Sequence, residues 1–224
     1  MKKIFSLCAL FVFGFGIPVF AQEILTASAF FKSVSEVYGT IRDYEVDIDI
    51  KAGRASMRGR VSYKKPDLLR IDFSNPAEQV ICFNGDLLTI YLPGQQVILN
   101  QSVDNSSGAG ANLATSQGLA LLSRYYSPAY ETGPDAVPLD DDSDELVVRL
   151  VLRRRNTSEA FSSIKVSVSP TSMLIRRIEA VTPQGENFTF DFRNYVLNQG
   201  IPDLRFIYDP PTSANNYNNF LFSD

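Results

Sequence analysis

A period-two alternation of apolar and polar residues recurs along most of this chain, and it constrains the fold more than any other feature. In residues 43–50, four carboxylates alternate with four apolar side chains. Successive side chains of a β-strand point to opposite faces, so this pattern predicts a strand in a sheet with one apolar face and one polar face. The further segments that predict strands are 54–64, 69–73, 79–83, 87–92, 96–101, 146–154, 163–169, 174–181, 186–196 and 204–208.

Two further segments, 24–38 and 113–126, carry apolar residues at helical spacing. Strands that no crossover helices separate form an antiparallel sheet, and the spacing predicts a single curved sheet of about ten or eleven strands. Two helices can bury only part of the apolar face of such a sheet. It therefore either curls into a filled barrel or encloses a cavity under a helical lid, and the pattern by itself favours the filled barrel.

Residues 1–21 predict a secretory signal peptide. A basic start, Met1-Lys2-Lys3, precedes an apolar run over residues 4–20 without a charge, and Val19-Phe20-Ala21 gives the small-x-small pattern of a cleavage site before Gln22. An uncleaved membrane anchor is the alternative, for which the run is slightly short. No linker divides the remainder, so we predict one domain over residues 22–211 and a flexible, Asn-rich tail over residues 212–224.

The composition excludes several chemistries. The chain contains no histidine, which rules out Ser–His–Asp catalysis, Cys–His catalysis and zinc bound through histidine. Its formal net charge of −4 has the wrong sign for a general nucleic-acid binder. We therefore expect no histidine-dependent catalysis, no metal bound through histidine and no nucleic-acid partner.

Three features that resemble sites have simpler interpretations. The carboxylates of residues 43–49 fit a solvated strand face better than a calcium site, and the acidic cluster at residues 140–145 lacks the glycine and the ligand spacing of a calcium loop. Cys82 is the one cysteine outside the predicted signal peptide. Its apolar neighbours favour a small buried hydrophobic residue over a reactive thiol.

Several motifs occur in a recognisable order. They are the segment GRVSYKKPDLLRI at residues 59–71, Asn75-Pro76, the turn Asn84-Gly85-Asp86, the strand end Ile90-Tyr91-Leu92-Pro93, and the aromatic segment at residues 206–211. Their order and spacing resemble the outer-membrane lipoprotein carrier (LolA) family. The resemblance covers roughly residues 24–211, and residues 59–93 are its specific part.

The resemblance implies an incomplete antiparallel barrel with helices across its mouth and a hydrophobic cavity for acyl chains. Such a monomeric carrier works in the periplasm, taking lipoproteins from an inner-membrane ABC exporter to an outer-membrane acceptor. Carriage needs no catalytic residue, metal or cofactor, so the resemblance implies a protein that is not an enzyme. The residues expected to line the cavity lie on two strands that each carry an apolar row, and they are Leu69, Ile71, Phe73, Phe188, Phe190 and Phe192. Which strand parity faces the cavity is left open by the sequence.

Lys65 stands where the family has an arginine before proline that hydrogen-bonds the lid, so we expect it to contact the lid helices. A lysine lacks the planar fork of arginine and would make a point contact, and a solvated lysine is the alternative. Leu69 and Ile71 stand where the family has an aromatic residue and a tryptophan. The surface that engages the exporter is therefore expected to differ.

Three further alternatives remain open. The cargo could be a lipid other than a lipoprotein. The chain could also be a periplasmic lipid- or lipopeptide-sensing module of the same fold, with a regulatory role. A lipid hydrolase is less favoured because the sequence has no G-x-S-x-G motif.

Overall fold

The computed structural model describes residues 25–103 and 116–220. The predicted signal peptide and its cleavage site lie outside these residues, as does the beginning of the helix predicted at residues 113–126. No helix within the described ranges is long and apolar enough to cross a membrane. The helices are α1 (Ala27–Thr40) and α2 (Ser116–Tyr125), and the strands are β1 (Asp43–Ala52), β2 (Ala55–Lys64), β3 (Leu68–Asn75), β4 (Ala77–Phe83), β5 (Leu87–Leu92), β6 (Val97–Ser102), β7 (Tyr126–Tyr130), β8 (Val137–Pro138), β9 (Leu146–Arg154), β10 (Ser163–Val168), β11 (Ile175–Val181), β12 (Asn187–Leu197) and β13 (Asn215–Asn218).

The strands form one large, curved, open sheet. Their order across the sheet is β13-β6-β5-β4-β3-β2-β1-β12-β11-β10-β9-β7, and β8 pairs with β9. Apart from β13, which runs parallel to β6, every pair of neighbouring strands is antiparallel. The mainly β, antiparallel fold predicted from the alternation is thereby confirmed, as is the incomplete, open sheet that the resemblance implies. The filled barrel that the pattern by itself favoured is not formed by the strands that the structure describes.

The structure differs from the sequence prediction in three places. Strand β7, which follows α2 directly, and the two-residue strand β8 lie where the sequence analysis predicted no strand. Residues 204–208 do not form the predicted strand. Instead, Asp203–Phe206 is a 3₁₀-helix whose Phe206 is 1 % exposed, and Arg70 donates to the carbonyl oxygens of Arg205 and Ile207. These carbonyls are satisfied by a side chain, so the segment needs no neighbouring strand.

The Asn-rich residues 215–218 also differ from the prediction, which placed them in a flexible tail. They form β13 against the edge of β6, and the Asn100 amide donates to the side-chain oxygen of Asn216 at 2.8 Å. Composition alone could not reveal this pairing, because the partner strand lies more than 100 residues earlier in the chain. Amide side chains supply hydrogen bonds where the tail has little apolar surface to bury.

Helix α1 packs along one face of the sheet. Its N-terminus is capped by Thr26, whose hydroxyl accepts from the amide of Ala29 at 3.2 Å. Its buried residues are Phe30, Phe31, Val34 and Tyr38, at spacings that place them on one side of the helix. We call the face of the sheet that carries this helix the helix-side face, and the opposite one the outer face.

The outer face is polar over its centre. The carboxylate of Asp49 pairs with Arg58 at 2.6 Å, and Arg60 lies 3.5 Å from Glu45 and 3.6 Å from Asp47. Three of the four strand carboxylates are thus matched by arginines on a neighbouring strand.

Asp43 differs from the predicted solvated face, because it is 3 % exposed and its carboxylate accepts from the backbone amides of Gln199 and Gly200. The described residues contain no cluster of three or more metal-ligating side chains.

A second, smaller core lies on the outer face over β4–β6. Val80, Cys82, Tyr91 and Ile98 are buried there, with Tyr208 and Ala214 of the C-terminal segment packed against them. The Cys82 thiol contacts the carbonyl oxygen of Phe206 at 3.2 Å, and burial raises the pKa of this thiol. The interpretation of Cys82 as a small buried residue agrees with this packing.

Candidate functional site: the apolar helix-side face

Strand register decides which residues share a face. Residues directly opposite each other on neighbouring strands point to the same side of a sheet. One row across six strands is apolar throughout, and it consists of Val46, Val61, Ile71, Ile81, Ile90 and Leu99. This row lies on the helix-side face, because Val46 and Val61 belong to the main core that also contains α1.

The six residues predicted to line a cavity all lie on this face. Phe192 is opposite Ile48, Phe190 is opposite Ile50, and Phe188 is opposite Ala52. In the same way, Phe73 is opposite Gly59, and Leu69 is opposite Tyr63. The parity that the sequence left open is therefore settled by the pairing of β12 with β1 and of β2 with β3.

Burial divides the helix-side face into two parts. The part under the helices is fully buried, as Leu150, Ile164 and Val166 show at 0 % exposure. Helices α1 and α2 lie against each other and against β7, at the β7 end of the sheet. Toward β6, by contrast, a set of apolar side chains on β3–β6 stays partly exposed, which we call the apolar platform: Leu69, Ile71, Ile81, Leu88, Ile90 and Leu99.

The predicted lining residues occupy both parts. Phe73 and Phe192 are buried at 5 % and 6 % exposure as members of the main core. Phe188 and Phe190 are half-buried and pack against that core, and Leu69 belongs to the platform with Ile71. Phe73 and Phe192 are therefore filled-core residues in this structure, whereas the other four keep surface that a ligand can contact.

Four platform residues were missed by sequence reasoning: Ile81, Leu88, Ile90 and Leu99. Their alternation was visible, but the outward-facing residues of β4–β6 are apolar as well, since Val80, Tyr91 and Ile98 form the second core. A strand that is apolar on both faces gives no parity from sequence alone. The turn Asn84-Gly85-Asp86, where Gly85 has a φ of +102°, fixes how β4 pairs with β5. That pairing is the one signal that could have assigned these residues to a face of the sheet.

Lys65 directly follows β2 and contacts α1. Its ammonium group donates a hydrogen bond to the carbonyl oxygen of Gly39, in the last turn of the helix. Carbonyl groups in the last turn lack partners within the helix and carry partial negative charge, so a cation there is favourable. The contact is made by a single donor to a single acceptor.

A buried tyrosine pair gives α1 a second attachment. The Tyr38 hydroxyl accepts from the amide of Ile175 at 3.1 Å and lies 3.2 Å from the hydroxyl of Tyr195. Tyr195 in turn donates to the carbonyl oxygen of Ile175 at 3.0 Å. Burial raises the pKa of Tyr38 to about 12, so this phenol stays neutral. Helix α1 is thus fixed to β11 and β12 as well as to Lys65.

An open antiparallel sheet with helices on one face, and apolar surface left exposed beside them, defines a class of sheet proteins suited to hydrophobic ligands. The family model for the outer membrane lipoprotein carrier protein LolA matches residues 51–209. The chain belongs to the LolA family.

Comparisons with individual proteins agree with this assignment. The outer-membrane lipoprotein carrier protein of Pseudomonas paraeruginosa is 22 % identical over 153 residues, which are 68 % of this chain and 67 % of that protein. An uncharacterized conserved protein from Thermus thermophilus has the same fold, with a TM-score of 0.55 and 10 % identity over 84 % of this chain and 98 % of its own. The Pseudomonas aeruginosa MucA/MucB complex matches with a TM-score of 0.50 and 11 % identity over 84 % of this chain and 62 % of the matched chain.

Proposed function

We propose that this protein is a periplasmic carrier of lipoproteins and that it holds their acyl chains on the apolar platform. In this proposal the monomer receives its cargo from an inner-membrane ABC exporter and delivers it to an acceptor at the outer membrane, without catalysing a reaction. The observation that carries the proposal is the platform itself. Six apolar side chains on four neighbouring strands share one face and remain partly exposed, next to a helix-covered core.

The energetics explain why such a surface is useful. Each methylene group of an acyl chain that is kept from water is worth about 0.8 kcal/mol, so an acylated anchor needs a companion to cross an aqueous compartment. An exposed apolar platform costs stability in the free protein, and a bound acyl chain removes that cost. Carriage of acyl chains therefore gives the platform a purpose that folding alone does not.

Release requires that part of the enclosure can move. The contact of Lys65 with Gly39 is a single hydrogen bond at a half-buried side chain, and exposed charged contacts contribute little to stability. We propose that this contact opens during loading or release, while Tyr38 keeps α1 attached to β11. The lysine, in place of the family's arginine, makes the contact easier to break.

The proposal is tested by identifying what the protein carries. The protein is purified from periplasmic extract and its non-covalent cargo is identified by native mass spectrometry. Acylated peptides are the expected result, together with saturable binding of a fluorescent fatty-acyl probe. Free acyl lipids without peptide would instead indicate other lipid cargo. A stoichiometric protein partner without acyl chains would indicate a sensing role, and release of free fatty acid from an ester probe would indicate a hydrolase.

A further inference from the structure

The structure assigns a second surface to this protein: a rim of four arginines beside α2 that docks on an anionic phospholipid bilayer. The rim consists of Arg124, Arg153, Arg154 and Arg155. Docking on a membrane goes beyond the carriage of acyl chains, and it is measured without cargo, so either proposal can fail alone.

The fold brings these four residues together from two parts of the chain. Helix α2 ends at Tyr125 and continues directly into β7, so Arg124 stands two residues before Tyr126. Tyr126 is paired with Arg154 across β7 and β9. Beyond the end of β9, the Arg155 guanidinium donates to the carbonyl oxygen of Tyr126 at 3.3 Å, and its amide donates to that of Tyr125 at 2.9 Å.

The rim differs from the rest of the protein in its charge balance. Eight arginines elsewhere form ion pairs with carboxylates, namely Arg58, Arg60, Arg70, Arg149, Arg176, Arg177, Arg193 and Arg205. None of the four rim arginines does so among the residues that the structure describes. Glu159 is an acidic group near the rim, since it acts electrostatically on the same Tyr126 as Arg154 does. The rim therefore keeps an excess of positive charge in a chain whose formal net charge is −4.

Two of the rim guanidiniums are held by backbone carbonyl oxygens, and all four arginines remain at least partly exposed. Arg154 donates to the carbonyl oxygen of Thr157 at 3.1 Å, and Arg124 lies 5.6 Å from the centre of the Tyr125 ring. Arg124, Arg153 and Arg155 are exposed, and Arg154 is partly exposed. Carbonyl oxygens hold a guanidinium in place without neutralising its charge, which stays available to an anion.

The shape of the rim favours a bilayer over an acidic peptide. Arg153 and Arg154 are consecutive residues of β9 and point to opposite faces of the sheet, so the charges spread around an edge and do not line one groove. Tyr125 is 37 % exposed beside them, and tyrosine is favoured at the boundary between lipid headgroups and water. A surface of many anionic headgroups can meet dispersed guanidiniums at once, and the negative charge of the remaining protein orients the rim toward it.

The experiment measures binding to lipid vesicles. Protein purified after secretion, with its N-terminus sequenced, is mixed with vesicles of phosphatidylethanolamine and phosphatidylglycerol (3:1) or of phosphatidylcholine alone. Co-sedimentation is followed at low and high salt. The test variant is Arg153→Gln with Arg155→Gln. The matched control, Lys32→Gln with Arg42→Gln, removes the same charge from exposed residues of α1 and of the chain before β1.

We expect binding to the anionic vesicles, no binding to phosphatidylcholine, and loss of binding at about 0.5 M salt. The rim variant should bind about five-fold more weakly for each arginine removed, and the control should bind like the wild type, with both variants folded by circular dichroism. Equal weakening by both variants, or no binding of the wild type to anionic vesicles, overturns the proposal. Binding to poly-glutamate without binding to vesicles overturns it as well and indicates an acidic protein partner.

Discussion

The ammonium group of Lys65 and the carbonyl oxygen of Gly39 are joined by a hydrogen bond, so the residue that follows β2 is attached to the last turn of α1. The neighbouring Lys64 points the other way, where it contacts Asp203 at 2.5 Å and the carbonyl oxygen of Ile201 at 2.8 Å. Two adjacent lysines thus hold different parts of the structure, α1 on one side and the C-terminal segment on the other.

We expect Lys65→Ala to speed the exchange of a bound fatty-acyl probe while changing the melting temperature by no more than about 2–4 °C, since an exposed charged contact is worth at most about 1 kcal/mol. Stopped-flow exchange and thermal unfolding are the measurements. Lys64→Ala removes the same charge and should leave exchange unchanged. A loss of many degrees in Lys65→Ala would show that this lysine has a structural role and would exclude the latch.

Adjacent residues of β6 allow a matched test of the platform. Leu99 faces the helix side, opposite Ile90, whereas Ile98 is buried in the second core on the outer face. We expect Leu99→Ala to weaken acyl-probe binding several-fold with little loss of stability. Ile98→Ala should cost about 2–5 kcal/mol of unfolding free energy with little effect on affinity. The reverse pattern in titration and denaturation experiments would place the acyl site elsewhere.

Substitutions of Phe190 on β12 and of Phe31 on α1 compare a partly exposed position with a fully packed one on the helix side of the sheet. Phe31 is 1 % exposed, so Phe31→Ala should cost about 3–5 kcal/mol, because it leaves a cavity in a packed core. Phe190 is half-buried, so Phe190→Ala should cost clearly less and should also change acyl affinity. Urea unfolding of the two variants provides the comparison. Equal costs, with no acyl binding by the wild type, would show that Phe190 belongs to the packed core and lines no acyl site.

Gly59 permits the close approach of β2 and β3. A Cβ atom at this position would lie 2.6 Å from the carbonyl oxygen of Asp72, which is shorter than a van der Waals contact. Gly59→Ala should therefore lower the unfolding free energy by about 1–3 kcal/mol. Gly39→Ala is the control, because a Cβ in that helical position meets nothing within 4 Å and should stabilise by up to about 1 kcal/mol. Thermal unfolding is the measurement. A Gly59→Ala variant that is as stable as the wild type would contradict this account.

Stability should fall as the pH rises from 10 to 12. Burial raises the pKa of Tyr38 from 10.0 to about 12, so the unfolded chain loses this proton first. The stabilisation that comes from this raised pKa is complete below pH 10 and is lost as the pH rises through 12. Over that range the unfolding free energy falls by at most about 1.4 kcal/mol per pH unit. Urea unfolding at a series of pH values measures this dependence. The unfolding free energy of Tyr38→Phe should fall less steeply with pH than that of the wild type.

Part of the site was predictable because it depends on local pattern. Alternation over residues 43–50 and 69–73 indicates that each strand has one apolar face, whichever strands it pairs with. Leu69, Ile71 and the row from Phe188 to Phe192 could therefore be predicted from the sequence to share such a face. The position of Lys65 beside α1 followed from the family resemblance. By contrast, Ile81 and Leu99 lie on strands with apolar residues on both faces, and their alternation carried no information about direction.

The sequence by itself determined that this chain is a mainly β, antiparallel protein with two helices and a LolA-like order of motifs. That information is local, because side chains alternate along a strand wherever it lies. Only the tertiary structure decided that Phe73 and Phe192 are packed into the core, that β13 covers β6, and that partly exposed apolar surface is concentrated on β3–β6. These properties depend on register and on contacts between residues far apart in the chain, and a shift of one residue in register would turn each row to the other face.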